Sequence, residues 1–464
     1  MKRILTYTTV GLLSPAITLL LLPVYLKYFS TSEYVIIALT NSFLAVFSIF
    51  FNLKVDHAMR TLFFYDSQNT TKQETLFRTL FTFQILSFAL WLFLFLFIGE
   101  PLFEILFKNP VPFFPYSFII LATFLVNSLC NFYFIYLQNK LEVKTYSLLN
   151  ISNTLLINGL QLCCIYVLKL EFIWFLLSSL LSNCIIFGYI YFKNLSLFKL
   201  QLSKPVLLES LTFSLPFIPF VVFYALENQL DKFFIDQLLS AEILAKYTVL
   251  LSVSAIISLL LNSLDNAIRP EIFTLFSSNT SKEKVQYQLD FYIMIGLWSL
   301  SFLMLFGLHI DWFLNHPKYV GIAKYFPWIS LAFVPLIVLR FYALQLIFEK
   351  KVPKMNAFIL VKILFMFLLF WYLIPRFELY GCITTLALSN VINLILFYTL
   401  LSTKFIPSKK IILTVILFLM LNVLICSIRN SNLVSLSSLL LFLFLSYLFI
   451  NTYKNDLKKI FYKN

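Results

Sequence analysis

Five basic side chains stand where a long apolar sequence tolerates them least. Arg340 and Lys362 interrupt apolar runs, Lys54 lies near the end of another, and Arg60 and Arg269 follow Asp56 and Asp265 at the same four-residue spacing. A cation at bilayer depth costs ~2.5–3.5 kcal/mol on insertion scales, so each needs a reason. A planar guanidinium forks onto two phosphate oxygens and an ammonium adds a point charge, so the set suits an anion that carries phosphate. Each also has a plainer reading. Lys362 either snorkels to the interface or faces a cavity. Arg60 and Arg269 either pair with the aspartates one turn back or contact a ligand. Arg340 has no acidic neighbour within a turn or two on its own helix.

The acidic counterpart is Glu227 with Asp231, four residues apart and therefore on one helix face. Such a pair either exchanges a proton or Na⁺ or forms a boundary cluster with Lys232 at the interface. Asn228, Gln229 and Asn262 either line a polar cavity or bond between helices. The 6 Cys lie inside apolar runs without CxxC spacing, which makes them packing residues rather than a metal or redox centre. His57, His309 and His316 all fall at the ends of apolar runs.

The elements that must position these groups follow from composition. The chain has 464 residues, 61% hydrophobic and 12% charged, with 55 Phe and only 8 Gly. A soluble globule would carry about twice that charge. With about 20 residues per crossing, fourteen spans leave room for connections and tails but for no soluble domain. The expected spans comprise six between residues 4–28 and 172–192, six between 211–234 and 380–401, and a final hairpin at 411–428 and 433–450. Residues 193–209 read as a polar connection. The run after Lys2 and Arg3 is too long for a cleaved leader and reads as the first span.

Lys and Arg collect on the cytoplasmic side of short loops. With the N-terminus inside, 23 of the 35 fall on that side and nine on the other, which predicts that both termini face the cytoplasm. The net charge of +14 is then a topology signal and a contact for anionic lipid, and it argues against nucleic-acid binding.

An internal repeat organises the spans. At an offset of 209, Glu33, Asp56, Ala58, Arg60 and Phe64 map onto Glu242, Asp265, Ala267, Arg269 and Phe273, and Leu181-Ser182-Asn183 recurs as Leu388-Ser389-Asn390. Six spans per half make the repeats parallel. The first helix of each half carries a proline pair, Pro15 with Pro23 and Pro216 with Pro219, and broken helices at corresponding positions point to a central transport cavity. The expected organisation is a six-helix lobe over residues 1–200, a second over 201–405, and two extra helices with a basic tail over 406–464.

Four stretches carry a family resemblance. Leu22-Pro23-Val24-Tyr25-Leu26 followed by Ser32-Glu33-Tyr34 resembles the opening of bacterial polysaccharide flippases. Leu215-Pro216 followed by Asn228, Asp231, Lys232, Phe233 and Phe234, the run from Tyr319 to Pro327, and Leu379-Tyr380-Gly381 agree with it, while Val35 and Cys382 stand where the family often has Gly or a small residue. The chain thus resembles a Wzx-type flippase of the multidrug/oligosaccharidyl-lipid/polysaccharide (MOP) exporter superfamily.

The resemblance implies an all-α integral membrane protein of the bacterial inner membrane, with two MATE-like lobes and alternating access. Its cargo would be an undecaprenyl-diphosphate-linked glycan destined for O-antigen or capsule, with polysaccharide polymerase machinery as a downstream partner. No cofactor or catalytic residue is implied, only a coupling ion, H⁺ or Na⁺. A drug exporter of the same superfamily is the nearer alternative, although residues 4–26 lack the acidic residue typical of that group's first helix. An integral enzyme of lipid-linked sugars is the more distant one, since every connection on the outer side is short.

Overall fold

The computed structural model describes residues 16–64, 70–277, 282–349, 351–428 and 431–461, which form helices and short connections with no strand among the described residues. A helix satisfies its backbone hydrogen bonds within one segment, which is what a chain this apolar needs in lipid. Among the described residues, eleven helices are long and apolar enough to cross a membrane, or twelve when the bent pair Lys204–Phe217 and Val221–Leu238 counts as one span. Val352–Leu400 is two helices joined at Glu378, whose φ of 48° breaks the run between the expected spans 357–375 and 380–401. Ala16–Tyr28 is the described part of the expected span 4–28, and Pro15 lies outside the described residues.

The chain divides into two compact units, Met1–Ala245 and Lys246–Asn464. The first holds α1 (Ala16–Tyr28), α2 (Thr31–Asn52), α3 (Val55–Leu62), α4 (Thr70–Leu106), α5 (Phe118–Asn139), α6 (Val143–Leu162), α7 (Phe172–Lys193), α8 (Lys204–Ser214) and α9 (Ile218–Leu238). A capping box starts α2: Glu33 N–H donates to Ser30 Oγ while Ser30 N–H donates to Glu33 Oε2. Left-handed Leu53 and Lys54 then separate α2 from α3. The core of this unit is aromatic, with the rings of Phe77, Phe81, Phe132, Tyr136 and Phe198 4.8–6.4 Å apart in tilted, stacked and edge contacts.

The second unit holds most of α10 (Ala241–Ser277), then α11 (Lys282–Leu308), α12 (Ile310–Leu314), α13 (Phe326–Phe348), α14 (Val352–Leu400), α15 (Lys409–Ser427) and α16 (Ser431–Phe461). Here α13 lies along α14 and α11, and α16 covers α11. The connection to the final hairpin is strapped down. Asp290 accepts Ser408 N–H, while Gln286, Gln345 and Tyr342 donate to the carbonyls of Ile406, Thr403 and Phe405. In the first unit Thr82 and Thr79 accept the N–H groups of Gln201 and Ser203, at the corresponding place after the sixth expected span.

Close packing repeats as well. A Cβ on Gly99 would fall 2.2 Å from the Phe113 ring, and one on Gly307 would fall 2.1 Å from the Phe326 ring. Only glycine lets an aromatic residue approach those helices so closely. The halves also differ, because α10 runs unbroken through the region where its counterpart splits into α2 and α3. Two helices start earlier than expected. Pro205 and Pro353 stand in the first turns of α8 and α14, where a missing N–H costs nothing, so each helix begins five residues or more ahead of the apolar run.

Candidate functional site

Arg340 sits in α13, eight residues before its end at Phe348, about 12 Å of helical rise. Its guanidinium Nη1 donates to Asn262 Oδ1 at 2.6 Å and to Asp265 Oδ2 at 3.2 Å, both on α10. The other oxygen, Asp265 Oδ1, accepts the Tyr292 hydroxyl from α11 at 2.5 Å. Three helices thus converge on one carboxylate. The Arg340 and Asp265 side chains are only 18% and 14% exposed, so the pair is poorly screened. The acidic neighbour missing from Arg340's own helix is supplied across the bundle, and Asp265 turns to Arg340 and Tyr292 instead of Arg269 one turn on. Arg269 itself is exposed. Asn262, open between two roles in the sequence, bonds between helices.

Lys362 lies ten residues into α14, about 15 Å of rise, deeper than the apolar run alone suggests because the helix starts at Val352. It is 4% exposed, and its Nζ donates to Asn390 Oδ1 at 2.9 Å. Asn390 Nδ2 in turn donates to the Ala332 carbonyl of α13. The ammonium therefore lies inside the helix bundle, against the same asparagine that the repeat singled out. Arg340 and Lys362 belong to one unit and have separate partners.

The other two cations belong to the first unit. Lys54 occupies the left-handed break between α2 and α3, where its N–H donates to Asn52 Oδ1. Exposed Arg60 donates to Gln138 Oε1 at 3.0 Å, and Asp56 accepts from Asn52 Nδ2 at 3.5 Å, so this half also departs from simple pairing at four-residue spacing. Unforeseen in the sequence is a polar cluster around Tyr25. Its hydroxyl lies 2.9 Å from Asn158 Oδ1 and 2.8 Å from Gln161 Oε1, and Gln161 Nε2 donates to Ser179 Oγ. Asn158 and Gln161, three residues apart and therefore on one face of α6, were the signal that could have found it, since amides buried within a bundle must find hydrogen-bond partners.

Asp231 is 4% exposed and accepts the Lys232 N–H, whereas Glu227, one turn earlier, is half-buried. Pro216 and Pro219 lie at the 46° bend between α8 and α9, while α1 continues through Pro23. Near the end of α9, Asp236 is fully buried and accepts the N–H of Lys108 at 2.8 Å and the Asn109 side chain at 2.8 Å. Lys108 Nζ and Gln237 Nε2 add reciprocal bonds to the Gln237 and Leu106 carbonyls, and the Phe107 and Phe233 rings stack. No group of three or more His, Cys, Asp or Glu among the described residues is arranged to hold a metal ion.

A family model described as "Polysaccharide biosynthesis protein" matches residues 27–308. No curated protein sequence matches the chain. Several solved structures share its fold. One described as "Lipid II flippase MurJ, inward closed conformation" has a TM-score of 0.68 at 12% identity, covering 96% of this chain and 99% of that one. A multidrug resistance MATE family transporter of the MOP superfamily matches in its inward-facing conformation with a TM-score of 0.64 at 13% identity, over 85% of this chain and 97% of that one. An outward-facing conformation of such a transporter matches with 0.61 at 15%, over 86% and 94%.

Proposed function

We propose that this chain, which belongs to the polysaccharide biosynthesis protein family, flips a polyprenyl-diphosphate-linked oligosaccharide across the bacterial cytoplasmic membrane for assembly of a surface polymer such as O-antigen or capsule. The carrying observation is Arg340: a guanidinium well inside an apolar helix, held by a carboxylate and an amide that fix its direction. A fork so held meets phosphate oxygens with little loss of side-chain freedom. Lys362 adds charge in the same unit, and Arg60 and Lys54 of the first unit and Arg269 of the second each attract the anionic head from the cytoplasmic side. The prenyl tail stays in lipid while the site is exposed to one side and then the other. That structures of a MATE family transporter and of a flippase share the fold supports transport over catalysis.

In this reading residues 1–200 and 201–405 are the two lobes and 406–464 the added hairpin and tail, with both termini cytoplasmic. Glu227 and Asp231 take the coupling ion, H⁺ or Na⁺, and polymerase machinery receives the product. The test is reconstitution of the purified chain in vesicles. Protein-dependent movement of a short polyprenyl-diphosphate oligosaccharide between leaflets, with no movement of a lipophilic cationic drug, is the expected result. Drug movement without glycolipid movement would replace the reading with that of a drug exporter.

A further inference from the structure

A site that binds its cargo too well does not let it go. Transport needs an interaction strong enough to capture the anion and weak enough to release it, and an unopposed guanidinium in a poorly hydrated site errs toward retention. In the second unit the opposition is built in. Asp265 Oδ2 accepts from Arg340 Nη1 at 3.2 Å, Asn262 accepts from the same nitrogen at 2.6 Å, and Tyr292, fully buried, donates to Asp265 Oδ1 at 2.5 Å. Both bonds leave from Nη1, and among the described residues the Nε and Nη2 edge makes none.

We propose that Asp265 is an internal counter-anion that competes with the cargo's phosphate for Arg340 and so sets its release, with Tyr292 tuning that competition by drawing charge from the carboxylate. The inference rests on the function proposed above and deepens it. In the empty state the carboxylate neutralises a half-buried guanidinium whose other partner, Asn262, carries no charge. In the loaded state the phosphate meets the Nε and Nη2 edge, and Asp265 keeps part of the cation's charge for itself. The repeat argues against a purely architectural role. The first half keeps Asp56 at the equivalent of Asp265, but 209 positions before Tyr292 and Arg340 it has Phe83 and Asn131. A group required by the shared fold would occur in both halves, and this one occurs in one.

The test uses the full chain in lipid nanodiscs with undecaprenyl diphosphate as the probe, alongside export of surface polymer in cells at matched protein level. Asp265→Asn should bind the probe roughly five- to tenfold more tightly, which a charge pair worth about a kcal/mol at this depth supports, and export should fall. Tyr292→Phe leaves the carboxylate more charged toward Arg340 and should bind the probe about two- to threefold more weakly. The opposite signs separate tuning from damage, because a merely structural loss weakens binding in both variants. In an Arg340→Ala background the tightening by Asp265→Asn should vanish. Unchanged or weaker binding by Asp265→Asn, or shifts of the same sign in the two variants, overturns the proposal. Should Asp265→Asn fail to fold, Tyr292→Phe decides alone: unchanged or tighter binding refutes the competition. If the wild type does not bind the probe at all, the transport reading falls and the inference with it; binding by the wild type that Asp265→Asn leaves unaltered sinks the inference only.

Discussion

Asp236 accepts from Asn109 twice, from its side-chain Nδ2 at 2.8 Å and its backbone N–H at 3.4 Å, while the other oxygen takes the Lys108 N–H. One buried carboxylate thus satisfies the turn that leaves α4. Replacing it strands several donors, each costing about 1–3 kcal/mol when buried. Asp236→Ala should lower the Tm of the purified protein by several degrees or abolish accumulation, and Asp236→Asn, which keeps one oxygen, should do less. A wild-type Tm for the Ala variant would show that water replaces the carboxylate there.

The proposed transport site predicts its own hierarchy. Arg340→Ala should reduce surface polysaccharide at least tenfold at normal membrane level, and Arg340→Lys should restore only part because the fork is lost. Lys362→Ala should give a smaller defect, since its ammonium is committed to Asn390. Wild-type export by the Arg340→Ala variant would remove Arg340 from the site.

Coupling calls for a comparison of two carboxylates. Glu227→Gln should impair export more than Glu33→Gln, because Glu33 caps α2 through Ser30 and a glutamine still fills a capping box. Equal and mild effects would leave Glu227 a packing residue and move the coupling site elsewhere.

Acid should loosen one corner of the second unit. Burial pushes the Glu349 carboxyl up, but the Lys351 ammonium, the Ser402 N–H and the Gln345 amide together outweigh it and hold its pKa below the ordinary 4.5. A depressed folded-state value means that this group's stabilisation is complete above pH 4.5 and is lost as pH falls through the folded value. Thermal unfolding of Glu349→Gln should therefore respond less than wild type to acidification below that point. Identical pH profiles would discount the cluster.

Orientation is tested separately by reporter fusions. Fusions after Lys204 and Lys410 should report cytoplasm and one after Lys318 the outside, with opposite signals at two of the three refuting the charge-based topology.

Fold class was legible because composition and span length leave a chain like this little choice. The repeat was read from matching residues such as Asp56 and Asp265, which bond differently in the structure, while the similar close contacts of Gly99 with Phe113 and Gly307 with Phe326 became visible only there. The surroundings of the two inner cations were half legible. Arg340 stood out as an isolated charge, yet its partners lie 75 and 78 positions away on α10, and spacing rules for one helix cannot reach across a bundle. The same limit hid Asn390 as the partner of Lys362, although the repeat had already marked that asparagine.

The strap between α14 and α15 bears on how the protein can be cut and joined. The last two helices, expected from the sequence as an addition to two six-helix halves, invite treatment as a detachable module, to be deleted or swapped between relatives just after α14 stops. Asp290, Gln286, Gln345, Tyr342 and Glu349 all spend hydrogen bonds on the seven residues that follow that point, from Ser402 to Ser408. A graft made at Leu401 would put all of these bonds at the mercy of the incoming segment, and Asp290, Gln286 and Tyr342 would lose those partners. A working chimera should carry its junction beyond Ser408, inside α15.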